Sequence, residues 1–144
     1  MRALLDANVL ISFFDSQHIC HKLALEWFNS ENGDGWATCP IIENTVLRVL
    51  TNPNYSKLKK FNIRQLIHLF RENTKATDHL FWPDDISLIS ESVIYPERVF
   101  GHKQLTDIYL LALAVKNNGR LVTFDAKISI DTVKGATREQ LLVL

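Results

Sequence analysis

The chain has 144 residues, of which 47% are hydrophobic, and 16 basic residues balance 16 acidic ones. This composition predicts one globular domain over residues 1–144 and excludes a disordered chain, because there is enough apolar material to offset chain entropy. The zero net charge excludes nucleic-acid binding through overall charge alone. The longest apolar run, at residues 108–115, is far shorter than the roughly 20 residues of a membrane span, so we expect a cytoplasmic protein without membrane contact.

The first half of the chain alternates apolar runs with segments of helical spacing. Short unbroken apolar runs predict strands buried on both faces, as in a parallel sheet. Pro40 suits the first position of a helix, where a missing N–H is tolerated. In chain order, the predicted elements are strands at residues 2–6 and 9–14, a helix at 21–30, a strand at 36–39 and a helix at 40–50.

The second half continues the same alternation. Its predicted elements are a helix at residues 62–73, a strand at 79–82, helices at 84–93 and 107–117, a strand at 120–124 and a possible edge strand at 141–144. Strands that alternate with helices predict an α/β fold. We expect a three-layer α/β/α sandwich around a mostly parallel sheet of four or five strands. In such folds ligands bind beyond the carboxyl ends of the strands.

Two aspartates stand at the ends of predicted strands. Asp6 interrupts the first apolar run, and Asp125 directly follows the strand at 120–124. An ionised carboxylate in an apolar setting is costly unless it is paired or bound to a metal. The alternative interpretation is that each residue forms a turn or caps a helix.

Two further carboxylates head apolar helix faces. Glu43 shares its face with Val46, Leu47 and Leu50, and Asp107 has a similar apolar face behind it. An acidic residue that leads an apolar face points inward. The alternative is a carboxylate placed in the first helical turn because the helix dipole favours it there.

Taken together, the four carboxylates indicate a metal site. Strand carboxyl ends and the following helix amino ends meet at one edge of a parallel sheet, so Asp6, Glu43, Asp107 and Asp125 should lie close together. Such a cluster would repel itself without a cation, and oxygen ligands suit Mg²⁺ or Mn²⁺. These ions support phosphodiester hydrolysis, because they polarise a phosphate and activate water.

Two motifs resemble those of a known family. Residues 4–10 (LLDANVL) resemble the opening motif of PIN-domain nucleases, and residues 106–114 (TDIYLLALA) with 121–125 (LVTFD) resemble their closing half. The spacing is similar to that of the VapC toxins of toxin–antitoxin pairs, and the resemblance covers nearly the whole chain. It implies that the four carboxylates form the metal site and that Asn8 and Thr123 support it. Ala7 departs from the pattern, since many relatives have Thr or Ser there.

The resemblance also implies a function and partners. It implies a Mg²⁺- or Mn²⁺-dependent endoribonuclease that cuts RNA and is inhibited by a VapB-like antitoxin. We also expect a homodimer, since symmetric pairs are the commonest assembly. We expect the antitoxin to insert an Arg into the carboxylate cluster and to lay a helix between the helices at 21–30 and 40–50. A non-toxin PIN nuclease and a catalytically silent binding module of the same fold are the alternatives.

Two other families of this fold class fit less well. A haloacid-dehalogenase-type phosphatase needs a second Asp where this chain has Asn8, and a response-regulator receiver needs a different order of acidic residues.

Basic residues offer further candidates for RNA contact. A cluster formed by Lys57, Lys59, Lys60 and Arg64 is either a phosphate-contacting patch or a solvated loop. His102 and Lys103 precede Asp107 in a loop that either touches RNA or only leads into the helix.

Overall fold

A five-stranded parallel sheet forms the middle of the fold. The computed structural model describes residues 1–31 and 33–144. The strands are β1 Ala3–Leu5, β2 Trp36–Thr38, β3 His79–Phe81, β4 Arg120–Thr123 and β5 Leu141–Val143. Their order is β3-β2-β1-β4-β5, and every pairing is parallel. The predicted α/β class, strand number and parallel sheet are therefore confirmed.

In the described part of the chain, five α-helices surround the sheet. They are α1 Ala7–Phe14, α2 His21–Glu31, α3 Pro40–Leu50, α4 Ile63–Ala76 and α5 Leu105–Lys116. Local chemistry explains their ends. Pro40 opens α3 as predicted, the Asn62 side chain accepts hydrogen bonds at the start of α4, and Asn118 with its positive φ of 52° terminates α5.

Helices cover both faces of the inner strands. All residues of β1 and β2 are buried, as are the last three of β4. Leu4 pairs with Ala37 on one side and with Leu121 on the other, so β1 is the central strand. Because parallel strands end at the same edge, the residue after β1 lies at the middle of the carboxyl edge. Among the described residues, no helix has the length and apolar character needed to cross a membrane.

Two predicted elements are wrong. Residues 9–14 belong to helix α1 and not to a strand, because a helix that packs against α2, α3 and β4 can be as continuously apolar as a buried strand. The predicted helix at 84–93 is an irregular segment. Asp84 is held there by tertiary bonds, since its carboxylate accepts from the Ile41 N–H and from the Tyr109 hydroxyl, both at 3.1 Å.

The docking surface expected between α2 and α3 stays a prediction. Both helices pack against α1. An open cavity beside α3 lies towards α4, where Leu47, Ile67 and Phe70 line it.

Candidate active site

Asp6 is the first residue after the central strand. Its backbone N–H donates to the Val122 carbonyl at 2.9 Å, which continues the pairing of β1 with β4. The residue is 8% exposed, and its Oδ2 accepts a 2.7 Å hydrogen bond from the hydroxyl of Thr123. A buried carboxylate needs such donors, and the neighbouring strand supplies one.

Thr123 connects the residues of this edge. While its hydroxyl donates to Asp6, the same oxygen accepts from Asn8 Nδ2 at 3.1 Å and from the backbone N–H of Asp125 at 3.0 Å. A hydroxyl has one donor and two acceptor positions, so all three are used. The side-chain Oδ1 of Asn8 accepts from the Phe124 N–H at 3.3 Å. Both positions that the resemblance marked as supporting thus hold the ends of β1 and β4 together.

A cavity of about 240 Å³ opens beside this edge. Asp107, in the first turn of α5, and Asp125, after β4, contribute to its wall. Asp125 is oriented by its own loop, because its Oδ1 accepts from the Lys127 N–H at 2.8 Å. Lys103 and Lys127 line the same cavity, so carboxylates and ammonium groups share one pocket.

The three aspartates act on each other electrostatically. Burial raises the pKa of Asp107 to about 6, and the charges of Asp6 and Asp125 add to this rise. Burial also raises the pKa of Asp6, with a smaller contribution from Asp125, while the Thr123 hydrogen bond opposes the rise. The site therefore holds negative charge at a free-energy cost.

A divalent cation fits this donor set. Carboxylate oxygens are hard ligands of the kind that Mg²⁺ and Mn²⁺ prefer. Burial, and after it the charges of Asp6 and Asp125, raise the pKa of Asp107, so a cation beside this carboxylate would offset the cost of ionising it. Within residues 1–31 and 33–144, no three Asp, Glu, His or Cys side chains already converge on a ready-made metal position.

Glu43 lies on the neighbouring strand connection. Its Oε1 accepts a 2.6 Å hydrogen bond from the hydroxyl of Thr38, the last residue of β2, and it lines the cavity between α3 and α4. The Thr38 oxygen lies 2.9 Å from Nε2 of His79. Burial lowers the pKa of His79, which favours the neutral ring. Since Thr38 donates to Glu43, His79 donates to Thr38. The charges that raise the pKa values of Asp6 and Asp107 do not include that of Glu43.

Several functional candidates escaped the sequence analysis. Asp84 connects the start of α3 to Tyr109 of α5, and so fixes the helix of Glu43 relative to the helix of Asp107. Burial and the Asp84 charge raise the pKa of Tyr109. Pro83, two residues after β3, marks the end of the strand predicted at 79–82, but it gives no sign of the contacts that Asp84 makes. Lys127 at the cavity wall had no signal of its own, because only the turn after Asp125 brings it there.

The predicted basic cluster is partly engaged in the fold. Lys59 lies 4.0 Å from the buried carboxylate of Asp15, and its ammonium stacks over Phe61. Asp15 also accepts a 2.7 Å hydrogen bond from the Tyr55 hydroxyl. These contacts fasten the loop between α3 and α4 to the end of α1.

The sheet order and the carboxylates at its edge define a nuclease-type α/β domain, and comparison with known proteins gives its family. The PIN domain family model matches residues 3–132, so the chain belongs to the PIN-domain family. Ribonuclease VapC44 from Mycobacterium tuberculosis is 40% identical over 144 residues, which cover all of both chains. Ribonuclease VapC39 from the same organism is 39% identical over 132 residues, 90% of this chain and 92% of that protein.

The particular group within that family is VapC, as these full-length relatives show. A solved structure supports the fold independently. The crystal structure of VapBC2 from Rickettsia felis bound to a DNA fragment from their promoter aligns with a TM-score of 0.52 at 14% identity. The alignment covers 88% of this chain and 90% of that one. At this identity the likeness concerns the fold alone.

Proposed function

We propose that the chain, acting as a single domain over residues 1–144, is an endoribonuclease and the toxin of a toxin–antitoxin pair. The observation that carries the chemistry is the placement of three aspartates at the carboxyl edge of the sheet: Thr123 connects Asp6 to Asp125, and Asp125 and Asp107 line one cavity. The full-length relatives named Ribonuclease VapC support RNA as the substrate. We place the activity in the cytoplasm, where this substrate is found.

Asp6, Glu43, Asp107 and Asp125 are the acidic residues that we assign to a Mg²⁺ or Mn²⁺ site. When bound, the ion would supply polarisation of the phosphate and activation of water. The chain's own residues prepare the position. Thr123 orients the Asp6 carboxylate and holds Asp125 beside it. Thr38 orients Glu43 from the next strand.

Cations at the cavity wall complement the carboxylates. Lys103 and Lys127 line the cavity that holds Asp107 and Asp125. An ammonium group attracts phosphate as a point charge, so the two lysines can hold an RNA backbone whose reacting phosphate faces the aspartates. Because the net charge of the chain is zero, the chain as a whole does not attract RNA. The attraction would come from these two lysines.

Cleavage assays test the assignment directly. Purified protein should cut an RNA panel of tRNA, rRNA and mRNA with Mg²⁺ or Mn²⁺, and EDTA should stop the reaction. Asp6→Asn and Asp125→Asn should remove the activity while the fold is retained, whereas Glu139→Gln, an exposed residue outside the cavity, should leave it unchanged. Undiminished cleavage by an aspartate variant, with contaminating nuclease excluded, would overturn the assignment.

Metal placement has a readout that does not depend on activity. Crystals soaked in Mn²⁺ should give an anomalous peak beside Asp6, Asp107 and Asp125. A peak at a pair of histidines instead would contradict the proposed site.

A small antitoxin partner completes the proposal. The VapC relatives support it, and the solved Rickettsia felis structure is one of VapBC2. An Arg of the partner would satisfy the carboxylates in place of a cation. We also propose a homodimer, the commonest symmetric assembly. Overproduction should arrest growth, pull-down should recover a small protein, and light scattering should give twice the chain mass. Growth without defect and recovery of the protein alone would favour a housekeeping PIN nuclease.

A further inference from the structure

An exposed aromatic side chain lies beside the carboxylate cavity. Phe100 is 89% exposed, in the segment between the turn at Pro96–Arg98 and the turn at His102–Gln104. It lines a second depression together with Arg98, Ser129 and Asp131. Ser129 also lines the cavity of Asp107 and Asp125, so the two depressions adjoin.

The backbone around Phe100 is fastened rather than loose. The Phe100 N–H donates to Gln104 Oε1 at 3.0 Å, and Gln104 itself lines the carboxylate cavity. The Arg98 guanidinium donates to the Asp131 carbonyl at 2.8 Å and lies 4.2 Å from the centre of the Tyr95 ring. Phe100 thus presents its ring to solvent from a fixed platform. Exposing a large apolar ring in this way gives the fold no burial energy.

The charged residues that line the two adjoining depressions suit a polyanion. Arg98 stands beside Phe100, and Lys103 and Lys127 line the cavity next to it. Asp131 opposes them as the acidic residue of the second depression. Asp107 and Asp125 also line the cavity, and the proposed function assigns them to the metal ion. Beside them, three cations against Asp131 favour a phosphate backbone over an acidic or neutral apolar partner. An aromatic face flanked by cations is the arrangement with which proteins hold single-stranded nucleic acid, because every base has a face that can stack.

We propose that Phe100 stacks on an unpaired base of the RNA, next to the nucleotide whose phosphate enters the carboxylate cavity. Arg98 and Lys103 hold the backbone on either side of that base. The depression of Phe100 is therefore a substrate subsite that selects single-stranded RNA, since a base in a duplex cannot leave its neighbours without a cost in free energy. The inference rests on the proposed ribonuclease function and specifies how that site recognises its substrate.

Binding measurements test the subsite. An Asp6→Asn background keeps the RNA intact, and the ligand is a fluorescent single-stranded oligoribonucleotide that the wild-type protein cuts at a mapped position. Phe100→Ala should weaken binding about 5- to 150-fold, the range that corresponds to one stacked base. Phe100→Trp should retain affinity and lose indole fluorescence on binding, a change that the buried Trp27, Trp36 and Trp82 do not mask. Leu58→Ala is the control, because Leu58 is 90% exposed elsewhere.

Abasic RNA distinguishes stacking from a structural effect. The base is removed at each position near the cut in turn. At one of these positions, the protein with Phe100 should lose as much RNA affinity as the Phe100→Ala substitution costs with intact RNA. With that abasic RNA, Phe100→Ala should cause no further loss. Equal affinity of the Phe100→Ala and Leu58→Ala variants would overturn the subsite. So would a loss that persists with every abasic oligonucleotide, or a loss of antitoxin binding alone. Cleavage by the wild-type protein, measured in parallel, tests the proposed function separately from Phe100.

Discussion

Replacing Asp107 by Asn should stabilise the metal-free protein while removing its activity. Burial and the charges of Asp6 and Asp125 raise the pKa of Asp107 from 3.8 to about 6. Each pKa unit corresponds to about 1.4 kcal/mol, so ionising this carboxyl in the folded chain costs at most about 3 kcal/mol. Asp107 is partly exposed, and solvent screening reduces that cost. We therefore expect Asp107→Asn to gain about 1–2 kcal/mol of unfolding free energy at pH 7.5.

The pH dependence gives the sign of the effect. A folded-state pKa above 3.8 means that the folded protein holds the proton longer than the unfolded chain does. The wild-type protein therefore loses stability as pH rises from about 4 to about 6, and the penalty stays constant above that range. Asn carries no charge at any pH, so the advantage of the variant should be largest at pH 7.5 and fall below about 1 kcal/mol at pH 4.

Thermal and urea unfolding in EDTA at the two pH values measure this difference. At pH 7.5 the melting temperature should rise by roughly 3 °C for each kcal/mol gained. Glu139→Gln removes a negative charge from outside the cavity and serves as the matched control. An Asp107→Asn variant that is less stable than the wild type at pH 7.5, or equally stabilised at both pH values, would refute the claim of a repelling cluster.

Three further variants examine the residues that position the carboxylates. Thr123→Val leaves the buried Asp6 carboxylate without its hydroxyl donor and should cost about 1–3 kcal/mol in urea unfolding together with most of the cleavage rate; unchanged values would contradict the bonding role of Thr123. Thr38→Val should lower kcat by freeing Glu43, and Thr38→Ser should restore it; equal rates for both variants would argue against the hydroxyl. Asp84→Ala should destabilise the protein by about 1–3 kcal/mol, since it removes the acceptor for two donors, and an unaltered unfolding midpoint would show that those bonds are dispensable.

The sequence by itself determined the fold class and most of the element order. Pro40 marked the start of a helix through backbone chemistry, which acts locally. Asp6 and Asp125 could be assigned to one edge because parallel strands all end there. The structure brings the ends of their strands together through the Thr123 bond to Asp6 and the Asp125 bond to Thr123.

Hydrophobic periodicity gave the wrong secondary structure for a segment that is buried on most sides. Residues 9–14 are apolar at nearly every position, and a helix enclosed by α2, α3 and the sheet needs the same composition as a buried strand. Residues 84–93 carry a helical pattern, yet the Asp84 carboxylate accepts from Ile41 and Tyr109 and the segment stays irregular. Contacts from distant parts of the chain decided both cases, and local propensity cannot contain them.

The details of the site belong to the tertiary structure alone. Facing carboxylates could be inferred from the sequence, but the pKa rise of Asp107 depends on its burial and on its separation from Asp6 and Asp125. The Thr38 bond to Glu43 and the place of Phe100 beside the cavity depend likewise on how connections cross the sheet edge. The sequence specifies which chemical groups are available at that edge, because strand and helix ends are local features. Distances, burial and neighbouring charges arise only when distant segments pack together, and these quantities set the electrostatics of the carboxylates.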